Sequence, residues 1–144
     1  MDAESSGILT MIERIPNWES ALSDYILSKR DEPFVYGQND CCMFAAGAMI
    51  VITGIDPIPE FRGKYKSLTS SIKALKEFGA GDLEKTIDGK LPEIPVGLAR
   101  RGDVAFYDGS LGVVMDGYAW FVSDDGLERI PRSEWTKAWS IGRG

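Results

Sequence analysis

Histidine is absent from this 144-residue chain, and cysteine occurs only twice, as the adjacent pair Cys41 and Cys42. Without imidazole, no side chain exchanges a proton near neutral pH at its ordinary pKa. That removes the usual base of cysteine hydrolases. Two Cys, no His and no acidic spacing of the calcium-loop kind leave too few metal ligands, so no metal and no cofactor is expected. Neighbouring cysteines make a strained disulfide, which points to free thiols and synthesis in a reducing compartment. Cations are outnumbered, 16 Lys and Arg against 22 Asp and Glu, and the net charge of −6 speaks against a nucleic-acid-binding surface. Long apolar runs are missing too. The longest is broken by Gly47 and is too short to span a bilayer, so no membrane partner is expected. The N-terminus lacks a basic region followed by an apolar core, so no signal peptide is expected.

What is present suffices for one domain: 44% of the residues are hydrophobic, enough to bury a core of their own. The stretch that organises the chain runs from Gly37 to Gly54. Asn39 and Asp40 offer helix caps, a nearly continuous apolar segment follows, and Thr53-Gly54 ends it. Apolar residues lie on all sides of this predicted helix, so it belongs in the core. Both cysteines fall in its first turn, where the helix dipole and free N–H groups favour thiolate.

Around it, residues 1–16 read as an extended or loosely ordered arm, available to a partner, and 17–144 as a single domain. A first helix is predicted from Asn17, as cap, to about Arg30, with Trp18, Leu22, Tyr25 and Ile26 at helical spacing. Leu68, Ile72, Leu75 and Phe78 mark an amphipathic helix closing at Gly79, and Asp82 to Ile87 a further helical turn. After Pro95 the pattern turns to strands: Asp103–Tyr107, Leu111–Met115, Tyr118–Val122, Leu127–Ile130 and Ala138–Ile141. Asp108-Gly109 and Asp116-Gly117 supply hairpin turns. Helices first and an antiparallel meander second make an α+β domain.

This order resembles the NlpC/P60 superfamily of papain-like cysteine peptidases, which cut peptidoglycan stem peptides. The resemblance is carried by Tyr36-Gly37 before Asp40-Cys41, by Arg101-Gly102-Asp103-Val104, and by Ser110-Leu111-Gly112-Val113 before Asp116-Gly117. It spans roughly residues 17–141. It is nearest to the short members from tail gene clusters of siphophages and gene transfer agents, which look like the Phe34–Ala46 segment here. The fold implied is papain-like, with N-terminal helices, the Cys-bearing one central, packed on a C-terminal antiparallel meander. The resemblance makes Cys41 the nucleophile position.

Where such peptidases carry the catalytic His, this chain has Ser110, and the orienting position falls near the apolar Trp120 or Phe121. A Cys–His mechanism therefore cannot run, and the site reads as vestigial. Asp40 could orient a base, but its place suits a helix cap, and its charge opposes a thiolate at Cys41. Asp108, Asp116, Asp124 and Asp125 read as turn residues rather than metal ligands. Tyr118, Trp120, Trp135 and Trp139 could line a glycan or peptide groove, with alternate ones pointing into the core. Arg62, Lys64, Tyr65 and Lys66 form a basic cluster suited to an acidic partner or a solvated loop.

Three readings follow. The first is a phage tail-tip or baseplate structural protein of the virion, made in the bacterial host cytoplasm and docking on hub, distal tail or fibre proteins. The second is an active peptidoglycan hydrolase using Cys41 and an unusual base such as Asp103. The third is a non-cutting peptide- or glycan-binding module that uses residues such as Tyr36 and Trp120. An open groove beside Cys41 supports the third; a groove filled by Trp120 or Phe121 excludes it.

Overall fold

The structure, a computed structural model, describes residues 12–142. Among the described residues four α-helices precede a six-stranded antiparallel sheet: α1 (Trp18–Lys29), α2 (Cys41–Thr53), α3 (Leu68–Phe78) and α4 (Leu83–Asp88). The strands are β1 (Glu93–Ile94), β2 (Val104–Tyr107), β3 (Ser110–Val114), β4 (Tyr118–Ser123), β5 (Gly126–Pro131) and β6 (Lys137–Trp139). Their spatial order is β1-β6-β2-β3-β4-β5. The architecture is mixed α+β, as the sequence pattern predicts.

The meander β2 to β5 is set by its turns. Asp108 and Gly109 both take positive φ, 49° and 76°, which suits the backbone twist of a two-residue hairpin and pairs Tyr107 with Ser110. Alternation along the strands then makes two different faces. Val104, Leu111, Val113 and Trp139 face the helices, while Ala105, Val114, Ala119, Phe121 and Ala138 face the other way. Trp135, in the connection from β5 to β6, covers that second face. β1 was not foreseen. It has two residues between Pro92 and Pro95, and only its pairing with β6 makes it a strand.

α2 explains its own composition. On one side Phe44, Ala45, Ala48, Met49 and Ile52 pack against α1 and the sheet. On the other, Met43 and Ala46 meet Ile58, Phe61 and Ala74. With both sides covered, an apolar helix all round is what the packing requires. Phe44, Met49 and Ile52 are essentially sealed, each contributing roughly 2 kcal/mol of burial. Asp40 caps the helix by accepting the Met43 N–H at 2.9 Å, and Gly54 ends it in the left-handed region.

Two expectations need correction. Asn17 makes no side-chain cap bond to α1. The arm, of which residues 1–11 lie outside the described residues, is bonded to its own domain over 12–16. The Ile15 N–H donates to the Ile52 carbonyl at 2.8 Å. Arg14 is buried and donates to the Ile141 carbonyl, to the Arg101 carbonyl and to Oδ1 of Asp103. Its guanidinium lies 4.3 Å from the centre of the Trp18 ring. Burial draws the Arg14 pKa down to about 10, while the Asp103 carboxylate pulls it back up. The strand end, the C-terminal segment and α1 are thus tied together by one cation.

Candidate functional site

Asp40 sits at the centre of the loop that leads into α2, and both of its carboxylate oxygens are engaged. Oδ1 accepts the Met43 N–H, while Oδ2 accepts the Gly37 N–H at 2.7 Å and the Tyr65 hydroxyl at 2.6 Å. Gly37 is required here. Its φ is +81°, and a Cβ would press into the Tyr65 carbonyl oxygen. Burial and the bond to Asp40 push the Tyr65 phenol well above its ordinary pKa, so it stays a proton donor in this pair. A carboxylate with three donors is a cap and a brace, not a free base.

Cys41 and Cys42 follow as free, half-buried thiols. They interact, and they titrate in opposite directions. The Cys41 thiol is lowered, chiefly by the hydrogen bond from the Cys42 thiol; the backbone N–H of Leu111 adds to this, while burial and Asp40 oppose it. Cys42 is raised, first by that same hydrogen bond and then by burial. In the first turn of α2 the Cys41 thiol is thus drawn toward the thiolate and Cys42 away from it.

Both open onto a cavity of ≈ 340 Å³ with mainly apolar walls. Ala45, Ala46 and Met49 of α2 form one wall, Gly109, Ser110 and Leu111 of the first hairpin another, and Leu68, Ile72 and Leu75 of α3 a third. α3 carries a strongly amphipathic stripe, yet Leu68 is 57% and Ile72 46% exposed. Ala74 and Leu75 pack on the cluster of Met43, Ala46, Ile58 and Phe61, while Leu68 and Ile72 border the cleft. Ser67 and Ser70 form a capping box that fixes where this helix starts.

The residues expected to form a site divide accordingly. Cys41, Asp40, Ser110 and Tyr36 all border the cleft. Trp120 does not: it packs from the sheet against the helix-side core, edge-on to Tyr118 with ring centres 5.4 Å apart and Arg129 over its face. Phe121 points to the opposite side of the sheet, against Gly112 and Tyr107. Neither fills the groove. Asp103, considered as a substitute base, is buried and occupied by Arg14, the Ile141 N–H and the Arg100 N–H. Among the described residues no group of three or more His, Cys, Asp or Glu could hold a metal ion.

Tyr65 and α3 were missed as parts of the site. The available signal was a tyrosine among cations directly before a capping box. Of that basic cluster, Arg62 pairs with Asp56 at 2.9 Å. Lys64 and Lys66 instead border a shallower groove that shares Tyr36 and Tyr65 with the cleft.

A family described as Domain of unknown function (DUF6950) matches residues 13–141. The chain belongs to that family. The matched span begins beside Arg14 and ends at Ile141, the two residues joined by the Arg14 Nε to carbonyl hydrogen bond of 2.9 Å. No curated protein and no solved structure matches the chain. Among the described residues no helix is long and apolar enough to cross a membrane.

Proposed function

We propose that the protein is a non-catalytic, NlpC/P60-like domain that works by binding through the Cys41 cleft, as a structural component of a phage tail tip or baseplate. The observation that carries this reading is an open apolar cleft lined by Cys41 and, on the wall formed by the first hairpin, by Ser110 and not a histidine. Cutting an amide needs a nucleophile and an acid that protonates the departing amine. Cys41 supplies the first. Histidine is absent from the chain, and the two carboxylates considered for the second role, Asp40 and Asp103, are consumed by structural bonds. The Cys-bearing helix against an antiparallel meander supports a papain-like assignment of the fold. The tail setting rests on the resemblance of the Phe34–Ala46 segment.

In this reading the exposed Leu68 and Ile72 at the rim dock an apolar segment of a neighbouring hub, distal tail or fibre protein. The test is co-purification with the tail proteins encoded beside it. Wild type forms a stable complex and Ile72→Glu, an exposed change that leaves the core intact, loses it. A complex indifferent to Ile72→Glu would overturn the cleft as the docking surface. One observation favours the hydrolase reading: the lowered Cys41 thiol, which a mere packing residue does not need.

A further inference from the structure

Resting on the reading of the cleft as a binding site that does not cut amides, we propose that it holds the chain of a phosphate-bearing acyl thioester and that Cys41 accepts the acyl group. Three observations converge. The cavity is apolar along α2 and α3 and, at ≈ 340 Å³, lies in the range of about 300–1,000 Å³ that takes small ligands. It adjoins, across the shared Tyr36 and Tyr65, a groove bordered by Lys64 and Lys66. Neither lysine is in an ion pair among the described residues. A chain of net charge −6 thus presents two of its 16 cations next to an oily slot, which suits a ligand with an apolar tail and an anionic head.

The chemistry fits what the site has and lacks. The Cys41 thiolate adds to the thioester carbonyl, forming a new S–C bond and an oxyanion at the start of α2. Free N–H groups of a helix's first turn and its dipole favour such an oxyanion. The oxyanion collapses, the old C–S bond breaks and the carrier leaves as a thiolate. An ordinary thiol has a pKa of about 8.5, so this leaving group departs without an acid. The proton given up by Cys41 to solvent is matched by the one the carrier takes up. One thioester replaces another, and burial of the chain favours the protein-bound product. A departing amine needs an acid to protonate it, whereas a thiolate does not.

The test is intact-mass measurement of the full chain after incubation with palmitoyl-coenzyme A, with acetyl-coenzyme A in parallel. The expected result is one palmitoyl group per chain, mapped to Cys41 and removed by neutral hydroxylamine. It disappears in Cys41→Ala and persists in Cys42→Ala. Acetyl transfer is expected to be at least tenfold slower, because it forgoes the cavity. Ile72→Glu, and Lys64→Glu with Lys66→Glu, each slow palmitoylation severalfold while circular dichroism stays unchanged. No adduct on the folded protein, an adduct on Cys42, or equal rates with both donors would overturn the proposal. Cys41-dependent cleavage of a peptidoglycan stem peptide would instead overturn the non-cutting reading, so the two failures are distinguishable.

Discussion

The Tyr65 hydroxyl donates a 2.6 Å hydrogen bond to Oδ2 of Asp40, tying the segment that leads into α3 to the cap of α2. One wall of the cleft is thereby fixed to the helix that carries the thiols. Tyr65→Phe removes a bond to a charged acceptor and is expected to lower stability by about 1.5 kcal/mol. Asp40→Ala leaves the Met43 and Gly37 N–H groups without acceptors as well, and should cost about 3 kcal/mol. Urea unfolding measures both. Equal losses would mean that the tyrosine, not the cap, dominates the cluster.

Arg14 and Asp103 form an ion pair at 2.9 Å with both side chains almost wholly buried. Removing one partner strands the other charge, so Asp103→Ala is expected to lower stability by about 3–5 kcal/mol. Pairing Arg14→Met with Asp103→Leu should recover much of that loss, because neither charge is then left unpaired. Chemical denaturation of the two variants checks the order. A double variant as unstable as Asp103→Ala would contradict it.

Gly47 is mid-helix, where alanine is ordinarily preferred by about 1 kcal/mol. Here a Cβ would run into the Tyr25 hydroxyl, which donates to the Phe44 carbonyl at 2.7 Å. Gly47→Ala should therefore destabilise the protein, against propensity. The Cβ would also meet the Tyr25 ring carbons, so Tyr25→Leu is the variant that removes the whole obstruction, and with it the double variant is expected to be less destabilised than the sum of the singles. Thermal unfolding of all four proteins gives the coupling, and strict additivity would refute the contact.

The sequence was informative where signals are local. Asp40 before an apolar run and Gly54 after it define α2, and Asp108-Gly109 sets the first hairpin, because caps and turns depend on neighbouring residues alone. The cleft was not legible in this way. Leu68, Ile72 and Leu75 read as a helix face, but a stripe does not say whether it closes on a core or borders a groove. Arg14 was hidden for a similar reason: its partners are Asp103 and Ile141, distant in sequence. Trp120 and Tyr36 looked alike as candidate binding aromatics. Only the sheet register, which turns Trp120 onto the helix-side core, separates them.

The paired thiols predict a pH dependence. A hydrogen bond from Cys42 and the Leu111 N–H lower the Cys41 thiol, so its thiolate persists to lower pH than an ordinary thiol's. The rate of iodoacetamide modification of Cys41 should reach half its plateau below about pH 8.5. Cys42→Ala removes the main cause and is expected to move that midpoint upward. A midpoint unmoved by Cys42→Ala would show that the two sulfurs do not interact.

The central claim is that the cleft keeps a nucleophile but lacks the imidazole that would take its proton and return it to a departing amine. The direct measurement is release of product from peptidoglycan stem peptides by wild type, Cys41→Ala and Ser110→His. The account predicts that wild type releases no more than Cys41→Ala. It also predicts that an imidazole at position 110, on the same cleft wall, raises Cys41-dependent release above that background. Release by wild type that disappears in Cys41→Ala would contradict the account and make this an active hydrolase.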